Sequence, residues 1–288
     1  MRLMNSICDD EDYEFADQAE DDLHCWALGP FNPIFDQIEP AFVNQQRYTL
    51  QDFLYPETFH YSVYAIDETL HPCLNYEVPR KPLLNGVGLN NFSLCSTWRI
   101  FRPTEIESVV SEQNEMFSKS PRKVFADGKL CFLKFLDRDD QRAAIREMTI
   151  YKSIEILGLD KKVKLPRMYG VVEDKLNGRI VGLLLSWINC RNKTLACALG
   201  PETSSTLRAK WDLQLTTTLN CLNEAGIVWG DVKPANILID EDEDAWIIDF
   251  GGGYTQGWVG KDQMETTEGD KAGLLKIKEL LRQTPYEA

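Results

Sequence analysis

Residues Gly226–Gly253 read GIVWGDVKPANILIDEDEDAWIIDFGGG. Three short apolar runs in this stretch, Ile227–Val228, Ile237–Ile239 and Trp246–Ile248, read as strands with the polar residues gathered at their ends. An Asp-x-Lys-x-x-Asn run (Asp231, Lys233, Asn236) follows the first strand, and Asp249-Phe250-Gly251 follows the last. The chemistry of this set suits phosphoryl transfer. Magnesium takes hard oxygen ligands, and Asn236 with Asp249 would offer them from two adjacent strand ends. Asp231 is spaced to orient an attacking hydroxyl and accept its proton, and Lys233 to neutralise charge on a transferring phosphate.

Upstream, Lys123–Phe125 and Leu130–Phe135 read as strands around Asp127-Gly128, a strong hairpin signal. Asp139 and Asp140 open a helix that runs to about Leu157. Lys134 closes an apolar strand, where a base is costly to bury without a phosphate or carboxylate partner. Glu147 shares a helix face with Ile150, Tyr151 and Ile154, so it points with the apolar stripe. Taken alone, the two residues read more readily as a snorkelling base and a helix-face charge; beside the downstream motifs they read as a functional pair. Glu155 is the rival acid on this helix. Tyr169–Val172 and Arg179–Leu185 are two more strands around Asn177-Gly178, and Leu207–Ala225 is a helix with Leu207, Trp211, Leu215, Leu219 and Leu222 on one face. Ala272–Leu281 is the final helix, with Asp270 at its start as an N-cap or as a holder of the catalytic loop.

The two linked motifs resemble those of the eukaryotic protein kinase family. Trp229-Gly230-Asp231-Val232-Lys233-Pro234-Ala235-Asn236 is similar to its catalytic loop in the Ser/Thr form, and Asp249-Phe250-Gly251 to its metal motif. The run through Gly252-Gly253-Tyr254-Thr255 and Glu268-Gly269-Asp270 is similar to kinase-like proteins of filamentous fungi. The Gly-Asp pair is shared with aminoglycoside-phosphotransferase-like enzymes. The resemblance covers about residues 106–281 and implies an α+β, two-lobed kinase-like fold, with a small β-rich N-lobe and a truncated, mainly helical C-lobe. It implies ATP and Mg2+ as cofactors. It casts Asp231 and Lys233 as catalytic, Asn236 and Asp249 as metal ligands, Lys134 as the phosphate grip and Glu147 as its support. Leu185 would flank the nucleotide pocket, and the backbones of Ser186 and Ile188 would meet adenine.

The chain also departs from that pattern. Ser111–Arg122, before the first hairpin strand, holds no glycine, so its backbone amides approach a phosphate less closely. Phe132 stands two before Lys134 and narrows the pocket. Trp229-Gly230 replaces His-Arg, which removes the usual partner of a phosphate on the segment after Asp249. No Ala-Pro-Glu follows Asp249, and the C-lobe is of the extent seen in small RIO-type kinases. Gly86 and Gly88 read as a turn rather than a phosphate loop.

The 288 residues carry a net charge of −14, with 43% hydrophobic content, which excludes wholesale disorder. An acidic balance argues against a nucleic-acid partner or an anionic membrane surface. No apolar run is long enough to span a bilayer, and no signal peptide is readable. Eight cysteines without a C-x-x-C pair read as buried free thiols of an intracellular, cytoplasmic or nuclear protein. The sequence divides into an acidic disordered tail (1–22), an N-terminal extension (23–105), an N-lobe (106–188) and a minimal C-lobe (189–288). The expected function is ATP/Mg-dependent transfer to Ser/Thr hydroxyls, on a protein or small-molecule substrate. The alternatives are a scaffolding pseudokinase and a small-molecule kinase.

Overall fold

A computed structural model of the chain describes residues 25–37, 48–56, 58–76, 86–89, 92–109, 121–138 and 140–282. The expected acidic tail and most of the glycine-free segment 111–122 lie outside the described residues. The chain divides into two units, one of Met1–Gln46 with Tyr55–Pro82, the other of Arg47–Leu54 with Leu83–Ala288. Among the described residues no helix is long and apolar enough to cross a membrane.

The larger unit begins with β1 (Tyr48–Thr49) and helix α1 (Leu50–Leu54). The smaller unit follows, with a hairpin of β2 (Tyr61–Ile66) and β3 (Thr69–Leu74), closed by Asp67 and Glu68 at φ 47° and 60°. Two positive-φ residues give the primed turn whose twist matches the paired strands. Phe31 packs edge-on against Tyr61 within this unit, at 5.6 Å between ring centres.

In the larger unit, β4 (Arg99–Phe101), β5 (Ile106–Ser108), β6 (Lys123–Ala126), β7 (Lys129–Phe135), β8 (Met168–Asp174) and β9 (Arg179–Ser186) join β1 in a sheet of order β1-β5-β6-β7-β9-β8-β4. Every pairing is antiparallel except β4 on β8. Two edge strands therefore come from the segment 23–105 that reads in the sequence as an extension. Asp127 and Gly128, at φ 52° and 71°, make the β6–β7 turn as expected. Along β7 the burial alternates: Cys131 and Leu133 are buried, while Phe132 and Lys134 are half-buried on the opposite face. Gly86 is no part of a phosphate loop. It packs on β9, where a Cβ would meet the Ile180 carbonyl at 2.2 Å, and its own carbonyl accepts from the Arg179 guanidinium.

Helix α2 (Gln141–Leu157) is capped by Asp140, whose carboxylate accepts from the Ala143 N–H at 3.1 Å, and it ends at Gly158 in the left-handed region. Its buried face holds Ala144, Glu147, Met148, Ile150, Tyr151 and Ile154. Beyond β9 lie α3 (Leu195–Ala198) and α4 (Ser205–Glu224), the latter burying Trp211, Leu215, Leu219 and Leu222 as its period predicts. Ile227–Val228 forms no strand. After Gly226 (φ 71°) the chain runs as a loop: the Ile227 N–H donates to the Leu222 carbonyl, and the Val228 carbonyl and Trp229 N–H bond to the side chains of Arg146 and Asp270 instead of to a neighbouring strand. β10 (Ile237–Ile239) and β11 (Ala245–Ile247) pair antiparallel. Helix α5 (Thr267–Arg282) starts five residues before the expected Ala272 and packs on α4. The thiols depart from expectation too. Cys95 and Cys131 are buried and free, but Cys25, Cys73 and Cys197 are exposed.

Candidate active site

Strand β7 carries Lys134 one residue before its end, helix α2 carries Glu147, and the turn after β11 carries Asp249. The Lys134 ammonium lies 2.7 Å from the Glu147 carboxylate and 2.8 Å from Asp249 Oδ1. Glu147 is 2% exposed, so it cannot be a solvated helix-face charge. Burial discourages the charge on Lys134, but the two carboxylates outweigh it and hold its pKa above the ordinary lysine value. Burial pushes the Glu147 carboxyl up, and Lys134 pulls it back only in part. Glu155 is spent elsewhere, accepting from the Trp98 indole N–H at 2.6 Å.

The catalytic-loop residues form a second cluster. Asn236 Nδ2 donates to the Asp231 main-chain oxygen at 3.0 Å and to its Oδ2 at 2.9 Å. The 3-10 turn Pro234–Asn236 makes this return possible, because it folds the loop back on itself within five residues. Lys233 reaches Asp231 Oδ2 at 2.6 Å and Thr255 Oγ1 at 3.0 Å, while the Thr255 hydroxyl donates to Asp231 Oδ1 at 3.1 Å. Asp231 is 8% exposed with both oxygens engaged. Thr255 was not among the expected site residues, although it ends the Gly252-Gly253-Tyr254-Thr255 run that carries part of the resemblance.

Beneath this cluster, Asp270 accepts from the Trp229 N–H at 2.6 Å and the Gly230 N–H at 2.8 Å. Its carboxyl sits inside the first turn of α5, and the cap is Thr266, whose hydroxyl oxygen accepts from the Gly269 N–H at 3.0 Å. Of the two readings open for Asp270, holder of the loop is the one the hydrogen bonds show. Burial raises its pKa to about 6 against the pull of those two N–H groups and of Arg146. Gly273 brings α5 close to the loop, where a Cβ would stand 2.7 Å from Val232. The Trp229 indole is buried and donates to the Ile248 carbonyl at 2.9 Å. Phe250 is fully buried, edge-on to Tyr151 at 5.4 Å.

The expected adenine-facing residues are less committed to a ligand. Leu185 is buried and pairs with Phe132 across β7 and β9. The Ser186 N–H donates to the Arg167 carbonyl at 2.8 Å, and the Ile188 carbonyl accepts from Cys190 at 2.8 Å. Among the described residues no cluster of three or more His, Cys, Asp or Glu could hold a metal alone. One carboxylate (Asp249) and one amide (Asn236), whose nitrogen already faces Asp231, are the donor set magnesium takes when phosphates and water complete its shell. The residues therefore fit a phosphate-bound magnesium.

A β-rich lobe joined to a mainly helical one, with a lysine–glutamate pair on one side and an Asp/Asn/Asp set on the other, defines a protein-kinase-like domain. The sequence matches the protein kinase domain family over residues 119–271, more than half of the chain, and the chain belongs to that family. It is thus a kinase-like phosphotransferase by family. No curated protein matches the sequence.

Proposed function

We propose that this domain transfers a phosphoryl group from ATP, in the presence of Mg2+, to a Ser/Thr hydroxyl of a protein substrate. The observation that carries the reading is the Lys134 ammonium lying between Glu147 and Asp249, residues from three separate elements. A buried Lys–Glu pair with no catalytic use would be poorly selected for stability alone, since its desolvation offsets much of its attraction. When bound, Mg-ATP supplies the phosphoryl group and the charge neutralisation. Lys134 would hold the nucleotide phosphates, with Asn236 and Asp249 holding the metal. Asp231 accepts the substrate proton, and Asn236, Lys233 and Thr255 fix its carboxylate so that no reorganisation is needed when that proton moves. The lobe division at residues 188 and 189 is part of the same reading.

Phe132 favours a second reading, a pseudokinase that serves as a binding module. The ring lies on the same face of β7 as Lys134 and packs against core residues, where adenine would need volume. One experiment separates the two. The full chain is incubated with Mg-ATP and a library of peptides bearing Ser, Thr or Tyr, and phosphate incorporation is compared with that of Asp231→Asn. Incorporation on Ser/Thr that the variant loses supports transfer. Absence of both incorporation and Mg-dependent nucleotide binding overturns it in favour of the binding module.

A further inference from the structure

The catalytic loop lacks an arginine of its own next to Asp231, yet a guanidinium stands there. Arg146, the residue before Glu147 on α2, donates to the carbonyls of Val228 (3.1 Å), Trp229 (3.4 Å) and Phe250. One planar group thus joins three elements: the helix of Glu147, the loop of Asp231 and the turn of Asp249. A guanidinium spreads five N–H donors over a fixed planar fork, so its two terminal nitrogens serve three carbonyls, whereas a lysine presents its three donors from a single nitrogen. The sequence makes room for it. Gly230 has φ 88°, and a Cβ there would stand 2.6 Å from Arg146 Nη2. Gly252 has φ 80°, and a Cβ there would stand 3.3 Å from Arg146 Nε and 2.6 Å from Glu265 Oε1. Both glycines therefore meet two demands at once, a left-handed backbone and the close approach of this cluster.

The counter-charge comes from the segment between Asp249 and α5. Glu265 pairs with Arg142 at 2.9 Å and lies 3.9 Å from Arg146 Nε, at only 21% side-chain exposure against 17% for Arg146. Glu265 is itself held at φ 55°, a conformation the surroundings must impose. A carboxylate is thus already seated on the paired arginines of α2, where an added phosphate would otherwise be needed to order such a segment.

We propose that Arg146 is a positioning residue that locks α2, the catalytic loop and the Asp249 turn into one arrangement, and that Glu265 supplies its charge partner, so that the site is assembled without phosphorylation of the 252–266 segment. The proposal rests on the phosphotransfer reading above for its kinetic consequences, but not for its structural ones.

The test uses the full chain with three variants, Arg146→Met, Arg146→Lys and Glu265→Gln. The readout independent of activity is acylation of the Lys134 amine, followed by peptide mass spectrometry. Lys134 is shielded while Glu147 is held against it. Arg146→Met is expected to label about tenfold faster than wild type, the scale of losing hydrogen bonds to a charged group. Arg146→Lys, which keeps the charge and loses the fork, is expected to label at close to the same raised rate. Under the phosphotransfer reading, kcat falls by a similar factor with KM nearly unchanged, Glu265→Gln shows a smaller fall of the same kind, and phosphatase treatment leaves wild-type activity unchanged. Wild-type labelling in both Arg146 variants overturns the lock, as does a change confined to melting temperature and KM. Activity that phosphatase abolishes overturns the role of Glu265. A wild type without transferase activity overturns the phosphotransfer reading alone, and the labelling comparison still decides the lock.

Discussion

The two clusters of the candidate site, one around Asp231 and one around Lys134, are built differently. On the catalytic-loop side, the residues around Asp231 are tied from several directions: Asn236, Lys233 and Thr255 hold its carboxylate, Asp270 holds the backbone before it, and Arg146 holds the carbonyls of Val228 and Trp229. On the nucleotide side, Lys134 is placed by sheet register, with a half-buried phenylalanine beside it. The difference teaches that the Asp231 carboxylate is held in place from several directions, while on the side proposed to take the nucleotide a phenylalanine occupies part of the face that Lys134 shares. Catalytic power should therefore be lost steeply by changes below, and nucleotide affinity should respond to changes above.

The largest expected effect is at Asp249. Asn is the sharp substitution because it tolerates the left-handed φ of 65° that Asp249 adopts, so the turn survives while the charge goes. Mg-dependent ATP affinity is expected to fall about a hundredfold, the scale of about 3 kcal/mol for an interaction with a charged group. Isothermal titration with and without magnesium measures it. Unchanged affinity with unchanged magnesium dependence would mean that Asp249 does not ligate the metal, and the contrast between the two sides would lose its basis.

Asp270 sharpens the contrast through pH. Its folded pKa of about 6 lies above the ordinary 3.8, so over roughly pH 4 to 6 the native state binds the extra proton. In that window stability from this group rises as pH falls, and above about 6 the contribution is flat. The ionised form, however, is the better acceptor for the Trp229 and Gly230 N–H groups. Acidification through pH 6 is thus expected to lower kcat while wild type gains stability relative to Asp270→Asn. The variant is expected to lose about tenfold or more in kcat at pH 7.5, since an amide nitrogen would face a backbone donor. Its acid step near pH 6 should vanish. A pH–rate profile that keeps the step in Asp270→Asn would assign it to another group.

How far the sequence foretold this site depends on whether a residue belongs to a short-range motif. Asp231, Lys233, Asn236 and Asp249 were legible because their chemistry is compressed into one strand–loop–strand run. Lys134 and Glu147 were legible because hairpin and helix periods fix their faces. Arg146 was not, because a guanidinium next to Glu147 falls off the apolar stripe, and nothing local says that it reaches two loops far away in sequence. Asp270 stayed ambiguous because an acid near a helix start fits a cap, and only the structure shows Thr266 capping instead. The edge strands β1 and β4 are two and three residues long, too short for a period to register. Ile227–Val228 has the composition of a strand, but the Ile227 N–H is taken by the Leu222 carbonyl at the end of α4 and the Val228 carbonyl by Arg146 of α2, a tertiary override of a local signal.

Thr255 comes next in size. Its hydroxyl donates to Asp231 Oδ1 and accepts from Lys233, closing a small ring around the Asp231 carboxylate. Thr255→Val keeps the shape and removes the hydroxyl. It is expected to lower kcat about tenfold, consistent with a lost hydrogen bond to a charged group, with ATP affinity unchanged. Thr255→Ser should recover most of the loss. A Val variant as active as wild type would show that Thr255 only fills a position the substrate hydroxyl takes over.

The smallest expected effect belongs to the nucleotide side, at Phe132. In β7 the side chains of Phe132 and Lys134 lie on one face, opposite buried Cys131 and Leu133. Phe132 also pairs with Leu185 and packs on the core, so its ring is part of the wall and not free to swing away. Phe132→Ala is expected to tighten Mg-ATP binding by a few-fold, on the order of four to six gained atom–atom contacts for the adenine. It is also expected to cost stability of about 1–3 kcal/mol, below the range for a fully buried ring because this one is only partly buried. Nucleotide titration and denaturant unfolding of both proteins, at a temperature where both are folded, measure the two terms separately. Tighter binding with lower stability would mark the ring as an obstruction retained for packing. Equal or weaker binding would make Phe132 an ordinary wall residue, and the contrast between the two clusters would have to be traced to the backbone of Ser186 and its bond to Arg167.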